Sequence, residues 1–381
     1  FTIFVYIRLI AMKTNFIKTA TSLVSVTLLV VAIFSCERPA SGFDDTEDAV
    51  YYAKKQAESP PQPDSSISVM TWNMRFAIGR GEWFGDACGD KVIYTAEEIL
   101  ANLQSLADRI NQVKPDILLL QEVDINSKRS AYVDQLRWIM DHTYFGYAVY
   151  GYQWKAQFIP SDGLGRLEEA NAILSRWPIS ESTRIQLPLR GDQDALTRYF
   201  YERCCMVKAR INIPGVSEFY ALNIHASAFA TDDTKHQHII LFKNEMDNIV
   251  SHGGWFIAGG DLNTLPPGSD STDFCIEDMC PGESFHQPGD DPMHKEGSNY
   301  SPEAHWMDDL YLTYPCAVPL TEYQLNQPLY FTHTTRPGHA WDRTLDYLFT
   351  SHRWQKGATV THQDFLINSD HAPVSARVIL K

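Results

Sequence analysis

The chain contains short, uninterrupted apolar runs that each close on polar side chains: "DILLLQE" ends on Gln121 and Glu122, and "WFIAGGDLN" ends on Asp261 and Asn263. Such runs are too short for an amphipathic helix and lack the alternation of a half-exposed strand. They read as strands covered on both faces, which requires a sheet packed between other layers. A polar group at the exit of such a strand is held on a stiff element at the rim of the core, where a loop takes over.

The rest of the chain extends this pattern. Alternation in "ISVMTWNMRF" predicts a strand with Asn73 at or near its end. "TAEEILANLQSLADRINQV" predicts a helix: Thr95 and Glu98 have capping-box spacing, Ile99, Leu103, Leu106, Ile110 and Val113 recur at helical intervals, and Lys114-Pro115 stops it. Further strands are expected at "GYAVYGYQW", "NAILSRWPI", "RCCMVKARINI", "EFYALNIHAS", "TLDYLFT" and "HAPVSARVIL", with a second long helix over residues 234–250. Many strands, few helices and strands adjacent in sequence fit two packed sheets flanked by helices better than a simple parallel sheet. Residues 265–341, rich in Gly, Pro, Asp and His, read as elaborated loops.

The first 35 residues stand outside this domain. From Met12, the expected true start, two lysines precede an apolar run over about residues 23–34, then Ser35 and Cys36. These are the parts of a secretory signal, and "IFSC" resembles the bacterial lipoprotein signal, in which the cysteine is lipidated. A membrane-spanning anchor is the alternative, but the run falls short of the ~20 apolar residues that a span needs. Residues 36–66, polar, acidic and proline-bearing, read as a flexible tether, and residues 67–381 as the folded domain. A monomer in the bacterial cell envelope is expected, periplasmic or on the outer surface, held to the membrane through lipidated Cys36.

Removal of residues 1–35, which carry the basic Arg8, Lys13 and Lys18 and no acidic residue, leaves 29 basic against 47 acidic residues, a net charge of −18. A nucleic-acid binder normally shows a basic footprint, so a polyanion partner is disfavoured. Seven cysteines become six if Cys36 is lipidated, and six allow 15 pairings. Cys275 and Cys280 form the expected local pair. A zinc site using His286, His294 and His305 lacks a CxxC spacing.

Polar groups fall repeatedly at strand ends: Asn73, Glu122, His225, Asp261, Asn263, Asp346 and the Asp370-His371 pair. Singly, each has a plain explanation as a turn or cap residue. Collected at one rim, carboxylates, amides and imidazoles are what phosphoester hydrolysis with a hard divalent cation requires, because the ion takes carboxylate oxygens, the attacking water needs a base and the phosphoryl oxygens need donors.

The blocks "TWN", "LLLQEVD", "NAILSR", "NIHAS", "GDLN", "LDYLF" and "SDHAPV", in this order, resemble the signatures of the endonuclease/exonuclease/phosphatase superfamily, which includes DNase I-like nucleases, sphingomyelinases and inositol-phosphate phosphatases. The resemblance implies a four-layered α/β sandwich, two mixed β-sheets between helices, with the site at one rim. It also implies Glu122 as principal ligand of Mg2+ or Mn2+ with Asn73 and Asp370, Asp261 orienting or deprotonating the attacking water, and Asn263 holding a phosphoryl oxygen. His371 would contact the phosphate with its ring fixed by Asp346. His225 either assists the leaving group or is a satisfied core histidine.

"QEVDINSKRSAYVDQ" resembles a phosphodiesterase-like bacterial subgroup related to proteins of glycosylphosphatidylinositol processing, where Arg129 either binds a phosphate or caps a helix at the surface. Acidic surface, export signal and lipid anchor favour a phospholipid head group or another small phosphoester as substrate. The alternatives are an exported nuclease of the same superfamily and a catalytically silent binding lipoprotein.

Overall fold

The computed structural model describes residues 39–56, 58–85, 88–280 and 297–380. The expected signal, Cys36, His286 and His294 lie outside the described residues. Among the described residues no helix is long and apolar enough to cross a membrane.

The strands, in chain order, are β1 (Thr46–Asp48), β2 (Val50–Ala53), β3 (Ser66–Asn73), β4 (Ile117–Asp124), β5 (Tyr147–Ile159), β6 (Gly165–Ser175), β7 (Ile179–Gln186), β8 (Cys205–Ile211), β9 (Phe219–His225), β10 (Trp255–Asp261), β11 (Asp346–Thr350), β12 (Arg353–Trp354), β13 (Val360–Thr361) and β14 (Val374–Ile379). One mixed sheet runs β12-β14-β3-β4-β6-β5-β2 with β13 on β14, and the second runs β1-β7-β8-β9-β10-β11. Each holds one parallel pair, β3 with β4 and β9 with β10, and in both cases a long helix makes the crossover that parallel strands require: Ala96–Val113 in the first, Thr234–Ser251 in the second. Parallel neighbours end at the same rim, so the two pairs deliver Asn73, Glu122, His225 and Asp261 to one side of the sandwich.

The apolar runs are explained by burial on both faces. In β4, Ile117 and Leu119 pack between the sheets while Leu118 and Leu120 pack under the first helix with Leu103, Leu106 and Ile110. In β10, Ile257 joins the inter-sheet core while Phe256 and Ala258 meet Phe242 and Met246 of the second helix. The result is the expected four-layered α/β sandwich. The first helix opens on a complete capping box between Thr95 and Glu98 and closes at Lys114, which takes a left-handed φ of 58°. A buried amide pair pins the sheets together: Gln121 Nε2 donates to Asn223 Oδ1 at 2.6 Å, and Asn223 Nδ2 donates to the Leu120 carbonyl at 2.7 Å.

Three expectations need correction. The stretch read as a flexible tether contributes β1, paired with β7 at the edge of one sheet, and β2, paired with β5 at the edge of the other. An edge strand is covered on one side only and tolerates the polar composition that suggested a tether. "NAILSRWPI" is split between β6 and β7 by a turn. Cys280 pairs with Cys88, 192 residues away, and not with Cys275, which is buried. Spacing reports sequence distance only, and here folding apposes two loops remote in sequence.

Candidate active site

Two local distortions aim the polar groups. Alternation along β4 would turn Glu122 under the covering helix, as it does Leu118 and Leu120. Instead the register slips between Leu120 and Val123 and Glu122 takes a left-handed φ of 55°, a bulge that swings its carboxylate to the rim. At the end of β10, Gly260 has a φ of 138°, and a Cβ added there would lie 1.9 Å from the Ile224 carbonyl oxygen. Only glycine fits, which explains why the run closes on "GGD". Asn263, at φ 49°, then turns the chain back, its N–H donating to Asp261 Oδ1 at 2.9 Å and its Nδ2 to the Ala226 carbonyl at 3.0 Å.

Register places the rest. Asp261 lies opposite His225 on β9 and opposite Asp346 on β11. From the other sheet, Asn73 Nδ2 donates to Glu122 Oε1 at 2.8 Å and to Asp261 Oδ2 at 3.1 Å, cross-linking the two carboxylates. His371 and His225 turn their Nε2 atoms toward the same Asp261 Oδ2, at 3.5 and 3.6 Å. Both separations exceed a good hydrogen bond, so neither Nε2 is tied to Asp261 by one. Asp370 is held by Arg75 Nε at 3.0 Å and by the Ser369 hydroxyl at 3.2 Å. All eight residues singled out in the sequence therefore line or adjoin one rim.

The charges are strongly coupled. Burial, then Glu169 and Asp370, push Glu122 up to about 8 against the pull of His225. Burial alone would lower His371, but Asp346 at 2.8 Å from its Nδ1, together with Asp261 and Asp370, carries it up to about 10. Burial would likewise lower His225, and Asp261 and Glu122 outweigh it. Asp370 moves the other way: Arg75 overrides burial and holds it below the usual carboxylate range.

The floor opens into a cleft of about 680 Å3 whose lining includes Trp83, Phe84, Trp154, Phe200 and Phe229. Residues 70–371 match the model of the Endonuclease/Exonuclease/phosphatase family. The chain belongs to that family.

Members of the Endonuclease/Exonuclease/phosphatase family are hydrolases, phosphatases and nucleases, and they generally use divalent metals. No curated protein matches the sequence. Among solved structures, an endonuclease/exonuclease/phosphatase from Beutenbergia cavernae is similar at 17% identity and a TM-score of 0.52, over 83% of this chain and 72% of that one. A family protein from Leptotrichia buccalis is 16% identical over 82% of this chain and 99% of its own (TM-score 0.49), and a mannosyl-6-phosphatase from Bacteroides thetaiotaomicron 12% over 82% and 98% (TM-score 0.48). At 17% identity the likeness to the Beutenbergia cavernae structure is one of fold alone.

The donor set fits the divalent ion of the family. It is rich in carboxylate oxygen, Glu122 is an acid that a cation would relieve, and Asp346 Oδ1 is buried without a hydrogen-bond partner. Donor atoms of Asp261, Asp346 and His371 lie within 4.8 Å of one another, as do those of His333, Asp370 and His371.

Sequence reasoning missed His333, whose ring centroid lies 4.4 Å from that of His371, and which burial and then His371 push well below the ordinary range. It sits in the loop region, where no strand periodicity flags it. Arg75, buried beside Asp370 in a left-handed φ of 47°, was also missed. Arg129 is neither a surface cap nor a free phosphate ligand: it is buried at 3% exposure, forked onto Asp124 by Nε and Nη2 at 3.0 Å each, bonded to Glu169 at 2.5 Å and stacked 3.6 Å over Phe76. The "DINSKRS" stretch thus closes a buried salt-bridge cluster, of which Arg129 and Glu169 form part of the cleft lining.

Proposed function

We propose that this protein is an exported, divalent-metal-dependent phosphoester hydrolase that acts on a phospholipid head group or another small phosphoester by in-line attack of water. The observation that carries the reading is the placing of both imidazole Nε2 atoms 3.5 and 3.6 Å from one oxygen of Asp261, with Glu122 tied to the same group through Asn73. Asp261 is suited to take the proton of the attacking water as its oxygen bonds to phosphorus. His371, held charged by Asp346, is suited to bind a phosphoryl oxygen, and His225 faces the place of the departing one. Glu122, with Asp370 and Asn73, would hold Mg2+ or Mn2+. Bound there, the ion would neutralise charge developing on the phosphoryl oxygens.

Support for an apolar part in the substrate comes from the cleft wall, where Trp83, Phe84, Trp154 and Phe229 stand next to the catalytic floor. The net charge of −15 works against DNA. Attachment through Cys36 to the bacterial envelope would bring this cleft to a membrane surface.

The test is hydrolysis of a generic phosphodiester by the purified protein with magnesium or manganese, followed by a screen of sphingomyelin, phosphatidylinositol, inositol phosphates and DNA. Metal-dependent activity abolished by chelator is expected. Activity indifferent to chelator overturns the mechanism, and cleavage of DNA alone transfers the protein to the exported nucleases.

A further inference from the structure

The two imidazoles of the site are held from behind in opposite ways. His371 Nδ1 lies 2.8 Å from Asp346 Oδ2, and a carboxylate can only accept, so this nitrogen carries a proton. His225 Nδ1 meets an amide instead, 3.0 Å from Gln153 Nε2. Gln153 is fully buried, and its orientation is fixed at both ends. Its Nε2 also donates to Glu202 Oε2 at 2.8 Å, and its Oε1 accepts from Asn171 Nδ2 at 3.0 Å. Asn171 Nδ2 is itself fixed as a donor by the Cys205 carbonyl at 3.0 Å. Turning the Gln153 amide over would set its oxygen against the Glu202 carboxylate and its N–H groups against those of Asn171.

A donor therefore points at His225 Nδ1, which answers with its lone pair, and the proton of the neutral ring resides on Nε2. That atom faces the site, 3.6 Å from Asp261 Oδ2 and 3.9 Å from Glu122 Oε1. We propose that Gln153, backed by Glu202 and Asn171, is a positioning residue that fixes His225 as a hydrogen-bond donor from Nε2 to the leaving oxygen of the substrate. The inference rests on the phosphoester-hydrolase reading for the identity of that oxygen, and on geometry alone for the tautomer.

Gln153→Glu, always paired with Glu202→Gln so that the new carboxylate meets an amide and not a second carboxylate, keeps the shape and exchanges the donor for an acceptor, drawing the proton to Nδ1 and stripping it from Nε2. In full-length protein labelled with 15N at histidine, long-range 1H–15N correlation at a pH where the ring is neutral is expected to show a bare Nδ1 in the wild type and a protonated one in Gln153→Glu. With a phosphodiester of an alkyl alcohol, kcat should fall roughly 10- to 100-fold in Gln153→Glu with KM close to wild type. With an activated aryl ester, whose leaving oxygen needs little assistance, the fall should be much smaller. A protonated Nδ1 in the neutral ring of the wild type overturns the proposal, as does an equal loss on both esters. If the wild type hydrolyses no phosphoester, the enzymatic reading fails while the spectrum still decides the tautomer. The wild-type spectrum needs no variant to fold.

Discussion

The floor of the cleft and its walls are built on different principles. The floor consists of groups at or beside strand ends: Asn73, Glu122, His225, Asp261 and Asp346, with Asp370 and His371 just before β14. Asn73, His225, Asp261 and Asp346 are held by backbone paired into a sheet, Glu122 sits in the bulge of β4, and Asp370 and His371 are tied by backbone hydrogen bonds to residues 332–334. The walls come mostly from outside the sheets: Trp83 and Phe84 after β3, Leu196 and Phe200 on the short helix Ala195–Phe200, Phe229 after β9, and Asp278 and Tyr300 in the long excursion between β10 and β11, with Trp154 on β5 as the exception. On the proposed reading, the difference separates chemistry from selection. A stiff floor keeps reacting groups in register, whereas loops can vary in side chain and length without disturbing the sheets.

The sharpest way to break the comparison is to remove one floor group. Asp261→Ala takes away the group to which both imidazoles and Asn73 are directed, and kcat is expected to fall by roughly 10²- to 10⁴-fold while the protein stays folded. Glu122→Ala should match it, with the added loss of metal dependence. Steady-state kinetics together with circular dichroism decides the matter. A variant that is folded and still active would show that the floor is a packing feature.

The same division explains what could be read in the sequence. Strand exits leave a local signature, an apolar run and then a polar residue, so all the floor groups at strand ends were visible there, and seven blocks in order gave the family and the four layers. Nothing local marks the bulge at Glu122 or the left-handed turn at Arg75, because both are imposed by neighbours distant in sequence. Gln153 lies in the strand expected at "GYAVYGYQW", and its meaning depends on His225, 72 residues away. Arg129, in a polar stretch, gives no sign that Asp124 and Glu169 will bury it. Apart from Trp154, the walls have no periodicity, and β1 is polar because only one of its edges is paired, while the four apolar residues of β2 are too few to stand out from the polar stretch around them.

Electrostatics sharpens the comparison next, because the floor holds two groups, His371 and Glu122, whose protonation the fold shifts strongly. In the metal-free protein, His371 shifts from an ordinary 6.5 to about 10. It contributes stability that is complete below about 6.5 and is lost as pH rises through about 10. Glu122 rises from 4.5 to about 8, so between these values the unfolded chain ionises first and the fold loses stability as pH rises. Both act in the same direction. A divalent cation favours ionised Glu122 and opposes the second loss, so the increase in Tm on adding magnesium should be larger at about pH 8.5 than at about pH 5.5. Calorimetry with and without the ion measures it. An equal increase at both pH values, or none, would remove Glu122 from the ion site.

The smallest effect on catalysis is expected at the walls. The Cys88–Cys280 disulfide ties the loop that carries Trp83 and Phe84 to the excursion that carries Asp278, joining two sides of the cleft mouth outside the sheets. No floor residue is bonded through it. Replacing both cysteines by serine should therefore leave kcat close to wild type and raise KM severalfold, most for substrates with an apolar portion, because the aromatic wall is no longer held in place. Stability should fall by about 2–5 kcal/mol, the usual consequence of removing a native cross-link that closes a long loop. Kinetics on a short-chain and a long-chain phosphoester, with reduced wild type as a control, separates the outcomes. A fall in kcat equal for both substrates would mean that the walls hold the floor in register, and that the division between stiff chemistry and adjustable selection does not describe this molecule.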